Sequence, residues 1–189
     1  MPRQAPRIRD AVPEDTADLL LLWDSASGIA NGSIREPEEA ERALASLAAD
    51  PDERMVLALV DDRIVGAMHV SRAPLWPLVQ ECAVHTSFLM VSPEHRRHGV
   101  GHALMEAAVS WAEEKDIAQI TAITDGTREN NRFLARLGLA TFANVRHSST
   151  VALRKKLSSE LGRVAGGGNR HLVEVLAHRR SVRRRQSAS

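Results

Sequence analysis

A strand that leads through a glycine-containing turn into an amphipathic helix is the feature that most limits how this chain can fold. Cys82 to Val91 is rich in apolar and β-branched residues, and apolar residues recur at helical spacing from Val100 to Lys115. Because the turn between them is short, the helix must begin close to the end of the strand. The chain must therefore pack helices against a sheet.

The remaining elements predict a mixed α/β (α+β) fold with a largely antiparallel sheet flanked by helices. Alternating and β-rich segments predict the strands, Asp61-Asp62 predicts a tight hairpin turn, and 3.6-residue periodicity with caps predicts the helices. The expected order is β-α-α-β-β-β-α-β-α-β-β. The predicted strands are Arg7–Val12, Met55–Val60, Ile64–Val70, Cys82–Val91, Gln119–Thr124, Ala140–Val145 and Thr150–Leu157. The predicted helices open at Pro13 and cover Pro37–Ala49, Val100–Lys115 and Thr127–Leu137.

The turn between the central strand and its helix has the chemistry of a phosphate site. It reads Ser92-Pro93-Glu94-His95-Arg96-Arg97-His98-Gly99-Val100-Gly101-His102. Glycines let a backbone approach a ligand closely, and the first N–H groups of a helix favour an anion. Arg96 and Arg97 add positive charge. The turn therefore predicts a site for a pyrophosphate, although a strand-to-helix turn that binds nothing is the plainer alternative.

The pattern Arg96-x-x-Gly99-x-Gly101, after a strand ending Leu89-Met90-Val91-Ser92-Pro93, resembles the acyl-CoA signature of the GNAT superfamily of acetyltransferases. The resemblance covers about residues 7 to 157, because the element order also matches. It implies an N-acetyltransferase that moves an acetyl or other acyl group from acetyl-CoA to an amine by direct attack of the neutral amine on the thioester. It also implies that the strand backbone holds the pantetheine arm through Leu89, Met90 and Val91. The implied phosphate contacts are Arg97, His98, Gly99, Val100, Gly101 and His102.

One departure from the family concerns the acid that protonates the departing thiolate. The segment Phe133-Leu134-Ala135-Arg136-Leu137-Gly138-Leu139 resembles the family's late helix and turn, but Leu134 stands where many relatives have a tyrosine, and the chain contains no tyrosine. A thiol pKa near 8.5 makes CoA a good leaving group without that acid. The alternative function is a catalytically weak CoA-binding or interaction module.

A base that deprotonates the amine is also expected, because a protonated amine has no lone pair. His85 occupies the place where several relatives carry a glutamate base, and an ordinary histidine can accept a proton near neutral pH. With regular alternation, His85, Ser87, Leu89 and Val91 would share one face. Glu81 is the second candidate, His69 is expected to be structural, and a histidine without a role remains the alternative.

The acceptor amine is not identified by the sequence. In this architecture the segment Gly28 to Arg35 and the loop Arg72 to Gln80 frame the acceptor, so Asn31, Ser33 and Trp76 are candidate contacts. These residue types are compatible with a small-molecule or a peptide amine.

Composition limits the cell compartment and excludes some cofactors. The single cysteine, Cys82, cannot form an intramolecular disulfide, and no Cys/His spacing predicts a metal site. No apolar run approaches the length of a membrane span or a signal peptide. We expect a cytoplasmic protein with acetyl-CoA as cosubstrate and neither a metal nor a membrane partner.

The C-terminal region is expected to be separate from the catalytic domain. Seven arginines and one carboxylate lie between Arg163 and Arg185, which leaves the rest of the chain net acidic. We predict an acetyltransferase domain over residues 1–157 and a basic tail over 158–189 with a short helix. A solvated tail is the simplest expectation. Docking on the acidic body or on a second subunit of a homodimer, and salt-sensitive nucleic-acid binding, remain alternatives.

Overall fold

Five strands form one mixed sheet in the computed structural model, which describes residues 5–26 and 36–160. Along the sheet the order is β1-β2-β3-β4-β5. The first four strands are antiparallel neighbours, and β5 runs parallel to β4. The bounds are β1 Arg7–Asp10, β2 Glu53–Val60, β3 Arg63–Pro74, β4 Cys82–Val91 and β5 Ile120–Ala122. The predicted fold class is confirmed.

The helices alternate with these strands largely as predicted. They are α1 Thr16–Ala26, α2 Pro37–Ala49, α3 Val100–Glu114, α4 Arg128–Arg136 and α5 over residues 150–160. Short 3-10 turns precede two of them, at Pro13–Asp15 before α1 and at Pro93–His95 before α3. Through α4, every predicted element is present with its ends shifted by at most a few residues.

The hairpin between β2 and β3 closes through the predicted two-residue turn. Asp61 and Asp62 both have positive φ, at 50° and 61°, and Val60 pairs with Arg63. Two consecutive left-handed residues produce a turn whose twist matches that of antiparallel strands, and aspartate tolerates this conformation better than most residues. The turn therefore fixes the register of the central hairpin.

The prediction of two closing strands is wrong. Residues 140–145 contain no strand, and the segment predicted as Thr150–Leu157 lies within α5. Ser149 caps this helix, because its side-chain oxygen accepts the N–H of Ala152 at 3.2 Å. The segment is also rich in Ala, Leu, Lys and Arg, which favour helix, so the short alternation of apolar residues was a misleading signal.

Helices cover both faces of the sheet. One core contains α3 residues such as Leu104 and Trp111 packed on the sheet, and the other contains Leu22 of α1 and Leu44 of α2. Gly66 on β3 sets how closely α3 can approach, since an added Cβ there would lie 2.6 Å from Val100 Cγ1. The absence of a side chain at this position therefore fixes the start of α3 against β3.

The chain divides into two compact units, one ending at Ala140 and the other beginning at Thr141. The first contains the whole sheet and α1 to α4, and the second contains α5. The predicted boundary at residue 157 and the basic tail remain predictions, because residues beyond 160 lie outside the described part. Over the described ranges, no helix has the length and apolar composition needed to cross a membrane.

Candidate active site at the end of strand β4

The turn from β4 into α3 presents backbone N–H groups that have no helical acceptor. Arg97 and Gly99 both adopt left-handed conformations, with φ of 62° and 85°. Gly99 is the N-cap of α3, no side chain caps the helix, and the first α-helical hydrogen bond runs from the N–H of Ala103 to the carbonyl of Gly99. The N–H groups of Val100, Gly101 and His102 are consequently free for an anion.

The two glycines of this turn have different surroundings. A Cβ added at Gly99 would meet no atom within 4 Å, whereas one added at Gly101 would lie 3.3 Å from the ring of Phe133. Gly99 therefore leaves open space on the outer side of the turn, where a ligand can approach. Gly101 allows α4 to pack closely against the start of α3, a role that the sequence did not predict.

Arginine and histidine side chains surround the open helix end. Arg97, His98 and His102 are exposed, and none of them forms an ion pair with a described residue. Arg96 instead lies 3.6 Å from Glu129 on α4, with both side chains about half exposed. An exposed pair of this kind is worth little in water, so Arg96 can exchange Glu129 for a phosphate at small cost.

His95 was not recognised as a candidate from the sequence. Its ring packs edge-on against that of His98 at 6.4 Å, and its Nδ1 atom is buried without a hydrogen-bond partner among the described residues. Because it lies in the 3-10 turn just before Arg96, the unpaired nitrogen adds a polar group next to the predicted phosphate contacts. Sequence alone gave no sign of its burial.

Just before this turn, β4 contains a β-bulge. His69 pairs with Ser87 and Ala67 pairs with Met90, so one residue of β3 opposes two residues of β4. Phe88, in the bulge, has φ of 52°, which is unusual for an aromatic residue, and its ring packs at 5.3 Å from that of Trp23. Bulges redirect side chains and interrupt pairing next to many active sites.

The bulge shows that the prediction of one shared face along β4 is wrong. Val84 belongs to the core under α3, so its neighbour His85 points to the face covered by α1 and α2. Beyond the bulge, Met90 packs in the α1 and α2 core, whereas Leu89 and Val91 pack in the core under α3. The extra residue in the bulge exchanges the two faces of β4 for all positions beyond it. A sequence pattern cannot indicate where such a residue is inserted.

The edge of β4 that faces β5 is paired over only part of its length. β5 pairs with Val84 to Thr86, and the N–H of Ile123 makes a last bond to the carbonyl of Thr86. On the other side, the N–H of Ser92 bonds to the carbonyl of Val65, so the polar backbone groups of Val91 point away from β3. Because the direction of the backbone polar groups alternates along a strand, the N–H and C=O of Leu89 point the same way as those of Val91. An extended ligand can therefore bond to this edge beyond Thr86.

His85 is held by two hydrogen bonds on the α1 and α2 face. Its Nε2 lies 3.2 Å from the carbonyl oxygen of Ala73 and its Nδ1 lies 2.7 Å from Oγ1 of Thr121. A carbonyl can only accept, so Nε2 carries a hydrogen. In the neutral ring, Nδ1 is then the nitrogen that can receive a proton, and Thr121 is its immediate partner.

A second set of hydrogen-bonded polar side chains spans three strands on the face covered by α1 and α2. His69 Nδ1 lies 3.1 Å from the hydroxyl of Ser87, and His69 Nε2 lies 3.3 Å from a carboxylate oxygen of Glu53. The sequence predicted only a structural role for His69 and did not single out Ser87 or Glu53. Their meeting depends on the register of β2, β3 and β4, which short-range patterns do not specify.

The other predicted candidates lie away from the bulge. Glu81 is exposed and precedes β4, seven residues before Phe88, which is roughly 23 Å along an extended strand. With Trp76, Leu75, Val79 and Gln119 it borders an open depression of about 260 Å³. Trp76 is 53% exposed there. Asn31 and Ser33 lie outside the described residues.

The loop between β5 and α4 is fixed by Asp125. Partial desolvation would raise the pKa of Asp125, but hydrogen bonds from Thr127, Asn130 and Thr124 outweigh it and hold the pKa below its usual value. Thr127 in turn caps α4 by accepting the N–H of Asn130. These contacts orient α4, whose Phe133 packs beside Gly101. Within residues 5–26 and 36–160, no group of three or more His, Cys, Asp or Glu side chains could hold a metal.

Comparisons with known proteins agree with this geometry. A model described as the acetyltransferase (GNAT) family matches residues 19–139. No protein in a search of curated sequences matches the chain.

Solved structures share the fold. A transcriptional regulator from Bacillus halodurans C-125 has a TM-score of 0.68 and 22% identity, over 76% of this chain and 99% of that one. Glucosamine-6-phosphate N-acetyltransferase from Arabidopsis thaliana has a TM-score of 0.65 and 14% identity, over 78% and 99%. An aminoglycoside antibiotic 6'-N-acetyltransferase from Acinetobacter haemolyticus has a TM-score of 0.62 and 18% identity, over 76% and 97%. At these identities the likeness concerns the fold alone.

Proposed function

This chain belongs to the acetyltransferase (GNAT) family, and from that premise we propose that it transfers an acetyl group from acetyl-CoA to an amine. The observation that carries the proposal is the uncapped start of α3, where Arg97 and Gly99 take left-handed conformations and Val100 to His102 offer free N–H groups. Such a site suits a pyrophosphate. Arg96 and Arg97 supply compensating charge around it, and His98 and His102 add exposed imidazole groups that can donate hydrogen bonds.

The free edge of β4 supports the second part of the proposal. Leu89 and Val91 direct backbone N–H and C=O groups into the space beside β4 beyond the last bond to β5. The amides of a pantetheine arm can bond to these groups as a further strand would. Met90 completes this segment by packing into the α1 and α2 core. The arm would run along β4 from the phosphate turn toward Phe88.

The reaction requires a neutral amine close to the thioester. Bound acetyl-CoA supplies the acetyl group as a thioester, whose carbonyl carbon the amine attacks. We assign His85 as the base, with Nδ1 as the accepting atom, because Nε2 already donates to the carbonyl of Ala73. Glu81 becomes the weaker candidate, since it lies at the far end of β4 from the bulge.

The acceptor is proposed to be a small-molecule or peptide amine. Among the structural relatives, one is named as acting on an aminoglycoside antibiotic and another on glucosamine 6-phosphate. Both are small amines, so amines of these two kinds are the first acceptors to test. Trp76 beside its open depression is a candidate wall of the acceptor site.

A thermal-shift titration with acetyl-CoA, followed by a panel of amines with detection of released thiol, tests the proposal. We expect acetyl-CoA to raise Tm, since a ligand of the native state stabilises it, and at least one amine to accelerate thiol release. Binding without amine-dependent release from any class of amine would favour the alternative function, a CoA-binding or interaction module. No rise in Tm at millimolar acetyl-CoA would refute both.

A further inference from the structure

We propose that Glu53, His69 and Ser87 form a proton relay that returns a proton to the CoA thiolate. The inference rests on the proposed function, and it concerns the step for which the chain has no tyrosine. The three side chains project from adjacent strands, and the two contacts of the His69 ring, 3.1 Å to Ser87 and 3.3 Å to Glu53, connect them in series. Ser87 directly precedes the bulge residue Phe88.

The partners of His69 determine which of its nitrogens carries hydrogen. An ionised carboxylate only accepts, so the contact with Glu53 places a hydrogen on Nε2. In the neutral ring, Nδ1 then accepts the hydroxyl hydrogen of Ser87. In the protonated ring, Nδ1 donates to Ser87, and the hydroxyl hydrogen of Ser87 must point elsewhere. The charge of His69 therefore decides whether Ser87 presents a lone pair or a hydrogen to the site.

The environment of this group suits proton transfer. The His69 side chain is only 20% exposed, whereas that of Glu53 is 42% exposed and reaches solvent. Glu53 therefore reaches solvent at the outer end of the group and accepts the Nε2 hydrogen of His69, while Ser87 lies at the inner end.

The expected position of the ligand sulfur brings it to Ser87. An extended phosphopantetheine arm is about as long as four or five residues of extended chain, or roughly 15 Å. With its phosphates at the start of α3 and its amides on the free edge of Leu89 and Val91, the arm ends near the bulge. Ser87 is the hydroxyl residue next to the bulge on the α1 and α2 face.

The proton transfer balances without a tyrosine. As the C–S bond breaks, the thiolate takes the hydroxyl proton of Ser87 while the Nδ1–H bond of His69 breaks and that proton restores the hydroxyl. The net change is one proton from the imidazolium to sulfur, which gives a neutral His69 and a CoA thiol. His69 recovers its proton at Nδ1, the ring nitrogen left with a lone pair, through the hydroxyl of Ser87 and water once the thiol has left, while Nε2 keeps its hydrogen toward Glu53. Serine alone is too weak an acid for this step, so it needs His69.

His85 is less suited to the acid role. Its ring contacts the carbonyl of Ala73 and the hydroxyl of Thr121 on β5, and neither contact links it to Ser87 beside the bulge. It also lies two residues before Ser87, or about 7 Å farther along the strand from the bulge. The two histidines therefore have different roles. His85 is the base that accepts a proton from the amine, and His69 is a positioning residue that supplies the proton to the thiolate through Ser87.

Histidine ¹⁵N NMR tests the relay without requiring turnover. The full chain would be titrated with CoA and, separately, with desulfo-CoA, which keeps the phosphates and the arm but lacks sulfur. We expect CoA to shift the His69 ring resonances and desulfo-CoA to leave them near their unliganded positions, because only the sulfur reaches Ser87. Equal shifts with both ligands, or no shift with CoA, would overturn the proposal.

Kinetics supply the second test. In Ser87→Ala and His69→Gln we expect turnover to fall roughly 10²-fold, the low end for general acid catalysis, while acetyl-CoA still raises Tm. Since His69 donates only when protonated, wild-type turnover at saturating substrates should fall as pH rises, and this alkaline limb should vanish in His69→Gln. Ser110→Ala, on the exposed side of α3, is the matched control and should behave as wild type.

The outcomes separate the relay from the proposed function. Active wild type with an unchanged rate and alkaline limb in His69→Gln would refute the relay and leave the acetyltransferase function intact. A wild type that transfers to no amine would refute the function, and the NMR comparison would still show whether the sulfur reaches the relay. If either variant unfolds, Glu53→Gln replaces it, with a smaller loss of rate as the expected result and an unchanged rate as the contrary one.

Discussion

Replacing Gly99 with alanine should separate the two demands on this residue, its left-handed backbone and the open space beside it. In the unliganded protein the new Cβ meets no atom within 4 Å, so no clash opposes it. At φ of 85° the backbone nevertheless penalises a side chain, and we expect a loss of about 1–2 kcal/mol in the free energy of unfolding. That loss reflects backbone conformation alone.

The second effect of the substitution appears only with acetyl-CoA. At a concentration 100 times Kd, a ligand stabilises the native state by about 2.7 kcal/mol, which corresponds to a rise in Tm of roughly 5–10 °C for a chain of this size. A methyl group in the ligand's space would break one or two charge-assisted hydrogen bonds worth about 1.5–3 kcal/mol each. Affinity should fall at least tenfold, and at least about half of the thermal shift should be lost.

Gly138→Ala provides the matched control. Gly138 has a nearly identical φ of 87° and also nothing within 4 Å of an added Cβ, but it follows α4 and is not part of the phosphate turn. Differential scanning fluorimetry of both variants with and without acetyl-CoA should show similar losses of Tm in the free proteins and a full ligand shift only in Gly138→Ala. A full ligand shift in Gly99→Ala as well would refute the assignment of the phosphate site.

Three further predictions concern the base, the tail and the ion pair between Arg9 and Asp15. His85→Gln should lower turnover by roughly 10²–10⁴-fold while acetyl-CoA binding survives. It should also remove the loss of activity at low pH, since a base acts only when deprotonated. Near-normal turnover with that acidic limb intact would exclude His85 as the base. Ending the chain after Ser158 should leave a core that unfolds cooperatively and binds acetyl-CoA, because all five strands precede Ala140; circular dichroism melting and the thermal shift check this, and a broad transition would contradict it. Hydrogen bonds from Arg9 hold the pKa of Asp15 below its usual value, so this carboxylate stabilises the fold above about pH 4 and loses that effect as pH falls through its lowered pKa. Urea unfolding should therefore give Asp15→Asn a free energy of unfolding about 2 kcal/mol below that of wild type at pH 7, and a smaller difference at pH 3. Equal differences at both pH values would contradict the stabilising role of the ionised Asp15 carboxylate.

Local sequence signals were sufficient for most of the first 139 residues. The Asp61-Asp62 turn, the start of α2 at Pro37 and the glycine turn before α3 each depend on the φ preferences and caps of neighbouring residues, so they can be recognised without tertiary structure. The same reasoning failed for residues 150–160. There a short alternation of apolar residues competed with the cap at Ser149 and with good helix formers, and the helix signals decided the outcome.

Sequence by itself determined the fold class, the turn that suits a pyrophosphate and the absence of the family's tyrosine. Tertiary structure alone decided the bulge at Phe88, the reversed faces beyond it and the meeting of Glu53, His69 and Ser87. The physical reason is the range of the interactions concerned. A turn or a cap depends on residues a few positions apart, whereas a bulge and a cross-strand contact depend on the register between strands. That register is set by packing of the whole sheet against its helices.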